Sequence, residues 1–221
     1  KSYLNDHEGA IQDYTRAIQI NPEKASAFYN RGLSKDKLKD FYGAISDYNK
    51  AIEIDDQHQK AFINRGYAKS DIGDHEGAIK DLTSAIEINP EDAYAYSARG
   101  YVKERAGDYY AAISDYSKAI KINPEDDYSF SGRAFSKGQI GDNNGAINDF
   151  TKAIDINSDD GFAFFGRAIY NNLEGNYNQA CQDWIKASDL GYKKANKKAN
   201  ECSNAGNVKK SINSLLSSQN Y

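Results

Sequence analysis

Two stretches read Asp-His-Glu-Gly-Ala-Ile, at 6–11 and 74–79, and set a histidine between two carboxylates. A metalloprotease helix needs a second histidine four residues after the first, so that both imidazoles reach one zinc from the same face; Ile11 and Ile79 stand there instead. Gly73 to Lys80 holds two glycines and a lysine, but the glycines are too close together and Asp81 follows Lys80 where a phosphate-binding loop needs Ser or Thr. No Gly-x-Ser-x-Gly and no Gly-x-Gly-x-x-Gly occurs. His7, His58 and His75 therefore read as solvated loop residues, and neither a catalytic centre, a metal site nor a cofactor is expected. The net charge of −4 argues against nucleic acid as the main partner, because phosphate binding needs a positive field. The longest apolar run, Tyr109 to Ile113, is far shorter than the roughly 20 residues of a membrane-spanning helix, and mean hydropathy is −0.80.

The elements that position these residues repeat. Asn21-Pro22, Asn89-Pro90 and Asn123-Pro124 are spaced by 68 and 34 residues, and a period of 34 aligns Gly32, Gly66, Gly100, Ala134 and Ala168. It also aligns Ala44, Ala78, Ala112, Ala146 and Ala180, and then Ala51, Ala85, Ala119, Ala153 and Ala187. Full units run 25–58, 59–92, 93–126, 127–160 and 161–194, after a truncated one at 1–24. Within each unit two stripes of 3.6-residue period predict two helices, as in Phe62, Gly66 and Ile72, then Ala78, Ile79, Leu82, Ala85 and Ile86. The breaks between them are Gly73-Asp74, Gly107-Asp108, Gly141-Asp142 and Gly175-Asn176, with Lys39-Asp40 as the exception. Glycine suits the left-handed residue that ends a helix, and Asp or Asn caps the next one.

This pattern closely resembles the tetratricopeptide repeat, with an aromatic at unit position 4, Gly or Ala at 8, Ala at 20, an aromatic at 24, Ala at 27 and Pro at 32. Residues 1–194 carry it, and the wording of the units is similar to bacterial, including cyanobacterial, arrays. Asp56, Ser158 and Tyr192 depart from it where Pro is usual, as do Lys35, Lys69, Lys103, Lys137 and Asn171 where Tyr is usual. The resemblance implies an all-α, right-handed superhelical solenoid of antiparallel helix hairpins. It also implies a non-catalytic function, the binding of a partner protein or peptide. A regulatory or targeting domain of a larger enzyme and a self-assembling array stay open beside it. The start at Lys-Ser-Tyr and the lack of any Met suggest a fragment, so localisation is not legible. The family's clamp for a terminal carboxylate needs Lys at position 5, where this chain has Tyr29, Ile63, Ser97, Ser131 and Phe165, so no such clamp is expected.

One polar pattern recurs. Arg31, Arg65, Arg99, Arg133 and Arg167 occupy position 7, and Asp47, Asp81, Asp115, Asp149 and Asp183 occupy position 23. They form either a charged ladder that reads a ligand or a brace within each hairpin; repetition in every unit favours the brace. Cys181 takes a column otherwise held by isoleucine and reads as a small core hydrophobe, with a bond to Cys202 on the following helix the alternative.

Residues 195–221 read as a polar closing helix and a tail. From 189 onward six lysines face two acids, leaving 1–188 at −8. In the tail, Val208, Ile212, Leu215 and Leu216 fall on one helical face, to pack on the last repeat or to enter a groove, its own or a neighbour's. A helical wheel turns positions 2, 5 and 9 of the first helices away from the hairpin partner, toward the inner surface of a solenoid. Those places hold Tyr29, Leu33, Ile63, Tyr67, Tyr94, Tyr101, Tyr128, Phe135, Phe162 and Phe165. An aromatic groove for an extended or helical segment is expected there, strongest from Tyr94 to Phe165, with Asn30, Asn64, Glu104 and Arg105 as polar contacts.

Overall fold

The computed structural model describes residues 6–204. Eleven helices follow one another: α1 (His7–Ile20), α2 (Ala25–Lys37), α3 (Phe41–Ile54), α4 (Gln59–Asp71), α5 (His75–Ile88), α6 (Ala93–Arg105), α7 (Tyr109–Ile122), α8 (Asp127–Gln139), α9 (Asn143–Ile156), α10 (Gly161–Leu173) and α11 (Tyr177–Asp189). A 3₁₀ turn, Lys193–Ala195, leads into a further helix, α12, over 196–204. The chain divides into two compact units, Lys1–Asn123 with three full hairpins after α1, and Pro124–Tyr221 with two hairpins and α12. The hairpin partners are α2 with α3, α4 with α5, α6 with α7, α8 with α9, and α10 with α11. The tail face from Val208 to Leu216 lies outside the described residues.

Each helix starts and stops for local reasons. Asp6, Asp40, Asp74, Asp108 and Asp142 cap the second helices, each carboxylate accepting a backbone N–H three residues on at 2.8–3.1 Å. The residue before the cap is left-handed, with φ of 80° to 87° at Gly73, Gly107, Gly141 and Gly175. Lys39 adopts the same turn at φ 63°, so the turn forms without glycine, at a steric cost. The second helices end at Ile20, Ile54, Ile88, Ile122 and Ile156 whether or not Pro follows. Side-chain turns close most of these ends: Asn21, Asp55, Asn89 and Asn157 each accept the N–H two residues on at 3.1–3.2 Å.

Packing follows the alanine columns. Ala44, Ala78, Ala112, Ala146 and Ala180, and the second set from Ala51 to Ala187, are fully buried. A methyl group at these places lets paired helices approach closely, and the large residue at position 24 fills the gap: Tyr48, Leu82, Tyr116, Phe150 and Trp184 are all buried. Across from Tyr48 only glycine fits, since a Cβ on Gly32 would lie 2.7 Å from Tyr48 Cε1.

Cys181 corrects the sequence reading. It is bonded to Cys202, with the Cα atoms 5.5 Å apart, so α12 is covalently tied to α11 beside Ala168, Ala180 and Trp184. The half-buried place that isoleucine holds in other units is filled here by the bridge, because α12 brings its own Cys202 to the same spot.

Candidate functional site

The recurring charges meet inside the hairpins. In each full repeat the Arg at position 7 donates twice to the Asp at position 23, Nε to Oδ2 at 2.8–2.9 Å and Nη2 to Oδ1 at 2.6–2.8 Å. The five aspartates are 2–5% exposed. Each guanidinium also lies 5.3–5.7 Å from the aromatic ring at position 4, as Arg65 does over Phe62. Its Nη1 reaches the preceding repeat, where Thr15, Asn49, Thr83 and Thr151 accept from Arg31, Arg65, Arg99 and Arg167 at 2.7–3.2 Å. Hydrogen bonding to Asp115 raises the Arg99 guanidinium further above its ordinary value.

The lysines at position 11, read from sequence only as departures from a pattern, complete this group. Lys35, Lys69, Lys103 and Lys137 place Nζ 2.7–2.8 Å from the same aspartate's Oδ2. The last repeat has Asn171 there, and Gln179 Nε2 donates to Asp183 Oδ1 at 3.0 Å instead. Their regular spacing was a signal, but the distance across the hairpin was not in the sequence.

The expected groove residues divide between the two units. In the first, Tyr29, Gln59, Lys60, Ile63, Asn64, Asp92 and Tyr94 line a recess of about 270 Å³. Asn64 Nδ2 donates to Tyr29 Oη and to the Lys60 carbonyl, both at 3.0 Å, and so holds the Tyr29 phenol in the wall. Burial pushes that phenol up, only partly offset by the bond from Asn64. His58, read as a solvated residue, caps α4 through Nδ1 and packs its ring, tilted by 38°, 4.7 Å from that of Tyr29. Asp92 receives Gln59 Nε2 at 2.8 Å and the Tyr94 N–H at 2.9 Å, fixing the start of α6. Tyr94 is 57% exposed, with Tyr67 6.3 Å away and Tyr101 6.2 Å beyond Tyr67.

Ile63 requires a correction, because it is 4% exposed and belongs to the core with Leu82 and Val102. It floors the recess and offers little surface of its own. Leu33, Tyr67 and Tyr101 are half-buried against the core, and Asn30 is half-buried with its carbonyl accepting from Ser34. Of the other two polar contacts expected near the rings, Glu104 accepts from Tyr116 Oη at 3.1 Å and Arg105 pairs with Asp71 at 2.7 Å.

In the second unit Tyr128 is 50% and Phe162 38% exposed, whereas Phe135 packs against the cluster of Phe150 and Tyr170. Phe165 and Phe162 lie 5.1 Å and 6.3 Å from Tyr192, a ring noted from sequence only as a missing proline. A separate open hollow of about 610 Å³ is lined by Asn171, Asn176, Tyr177, Gln179 and Gln182. Among the described residues no three His, Cys, Asp or Glu side chains gather as metal ligands, and no helix is long and apolar enough to cross a membrane.

Family models described as TPR repeat match residues 3–39 and 66–107, and a second model, tetratricopeptide repeat, matches 25–58 and 93–126. No curated protein matches the sequence. Among solved structures, MamA aligns at 25% identity and a TM-score of 0.65, over 75% of this chain and 96% of its own. PilF of Pseudomonas aeruginosa aligns at 17% identity and 0.70, over 85% and 91%. YrrB, described as having an unusual peptide-binding site, aligns at 19% and 0.62, over 80% and 91%.

Proposed function

Because the chain belongs to the tetratricopeptide repeat family, we propose that it is a non-catalytic protein-interaction scaffold that grips a peptide segment of a partner in an aromatic concave groove on the exposed rings of its first helices. The observation that carries this is the recess of about 270 Å³ between Tyr29 and Tyr94. Its floor is apolar at Ile63, its walls are phenol rings, and Lys60, Asn64 and Asp92 stand at its rim with donors and acceptors. Such a lining suits an apolar or aromatic side chain, with the rim groups bonding the peptide backbone beside it. Tyr128 and Phe162 hold the same unit position as Tyr94 in their own repeats of the second unit and are also exposed there.

The expected failure of carboxylate clamping has a physical counterpart. Position 5, which that clamp needs for Lys, is a packing position at Ile63, Ser97 and Ser131, exposed by only 3–4%.

The test is a variant with Tyr94, Tyr128 and Phe162 all changed to Ser, compared with the parent chain in capture of partners from a native lysate. Lost capture with unchanged helicity and melting supports the groove. Unchanged capture refutes it.

A further inference from the structure

The turn between α10 and α11 lacks the charges that the other hairpin turns carry. Asn171 stands where they have Lys35, Lys69, Lys103 and Lys137, and Asn176 where they have the capping Asp40, Asp74, Asp108 and Asp142. Two more amides, Gln179 and Gln182, replace Gly or Ala at the first place and Ser, Lys or Asn at the second. The exchange at 171 opens space. A lysine there crosses the hairpin and sets Nζ 2.7–2.8 Å from the buried aspartate. Asn171 is too short for that reach, and the hollow of about 610 Å³ lies beside it. Asn176 makes no side-chain bond to the start of α11 and donates instead to Asn171 Oδ1 at 3.3 Å.

The wall is polar and uncharged. It consists of carboxamides and the phenol of Tyr177, with no Lys, Arg, Asp or Glu in it among the described residues. Asn171 is 4% exposed, and its Nδ2 donates to no group among the described residues, so a buried amide keeps its hydrogens for an occupant of the hollow. Gln179 spends Nε2 on Asp183 Oδ1 at 3.0 Å and keeps Oε1 as an acceptor. Tyr177 is 65% exposed. We propose that this hollow binds a neutral carbohydrate. A phosphate, carboxylate or ammonium group would lose water there without meeting an opposite charge, and an apolar side chain would strip water from amides that it cannot bond. A sugar hydroxyl both donates and accepts, as a carboxamide does, so neighbouring hydroxyls can pair with Asn171 and Gln179 together. The C–H face of the sugar ring suits the flat ring of Tyr177. The volume falls within the range of about 300–1,000 Å³ typical of small-molecule sites. The recess between Tyr29 and Tyr94 differs in carrying Lys60 and Asp92 at its rim.

The fluorescently labelled full chain is applied to an array of neutral, sialylated and sulfated glycans, and the free saccharides that it retains are titrated into it by calorimetry. Saturable binding of neutral glycans is expected, weakened about tenfold or more by Asn171→Lys, which fills the hollow and brings a charge into it. The same variant should keep or raise the urea midpoint, because lysine already pairs with the equivalent aspartate in four other repeats. Lost binding is then loss of the site and not of the fold. Tyr177→Ala, at an exposed ring, should weaken binding as well, whereas Tyr94→Ser should leave it unchanged, which separates this site from the groove. Retention of no neutral glycan, preference for the sialylated or sulfated ones, or equal affinity in Asn171→Lys and Tyr177→Ala overturns the proposal.

Discussion

Lys103 Nζ lies 2.7 Å from Asp115 Oδ2, on the oxygen that also accepts from Arg99 Nε. One buried carboxylate thus answers two cations from the same helix, one turn apart. A buried charge is tolerated when its lone pairs are filled by well-placed donors, and removal of one partner is costly because the others stay behind.

Arg99→Ala is expected to cost about 3 kcal/mol, because it takes two bonds from Asp115 and the stacking on Tyr96. Lys103→Ala should cost less, about 1.5 kcal/mol, since it removes one contact and leaves both Arg99 bonds on Asp115. Urea unfolding of both, with Asp115→Ala and the double variant Arg99→Ala/Asp115→Ala, gives the coupling. Additive losses would show that the pair does not act as a unit.

Tyr48 Oη and Asp36 Oδ1 are buried without a hydrogen-bond partner among the described residues, whereas the equivalent Tyr116 Oη donates to Glu104 Oε2 at 3.1 Å. The aspartate is one methylene shorter. Asp36→Glu should restore the bond and stabilise the chain by about 1 kcal/mol in thermal or urea unfolding. A variant no more stable than the parent would show that reach is not the defect.

Burial, and then the nearby charge of Asp71, hold the Asp36 carboxyl above its ordinary value. The folded state therefore keeps this proton to a higher pH than the unfolded chain, and stability falls as pH rises through the raised folded value. Asp36→Asn should stabilise the chain at pH 7, by up to about 1 kcal/mol for a partly buried group, with the gain vanishing near pH 3. Melting curves at both pH values check the direction.

The Cys181–Cys202 bridge closes a separation of 21 residues. Reduction, or Cys202→Ser, is expected to cost about 3 kcal/mol on a chain-entropy estimate. Faster amide exchange should be confined to α12 and the α11 face beneath it. Equal exchange with and without a reducing dithiol would show that packing alone retains α12.

Ile63 and Tyr94 fall on the same side of successive first helices but should answer mutation differently. Ile63→Ala removes core and should cost about 2–4 kcal/mol, whereas Tyr94→Ser should stay within about 1 kcal/mol. Urea midpoints of the two variants decide whether the recess has a structural floor and a free wall.

The period of 34, the alanine columns and the Asp caps are local in sequence, so the hairpins and the places where helices begin were legible without coordinates. The pairing of Arg99 with Asp115 was favoured by its recurrence in every unit but not fixed by it, since a ligand-reading ladder or pairing across repeats fitted the same spacing; the structure brings the two together within one hairpin. What depends on a third helix was not legible. Tyr94 is open and Ile63 closed because of how neighbouring first helices cover them, a quantity no wheel drawn on one helix contains. The lysines at position 11 looked like departures until the width of the hairpin placed their ammonium groups on the aspartates. Cys181 took an isoleucine's column and bonds Cys202 only because α12 folds back on α11. Composition and spacing set each helix pair, and the approach of one pair to the next decides which rings are left exposed.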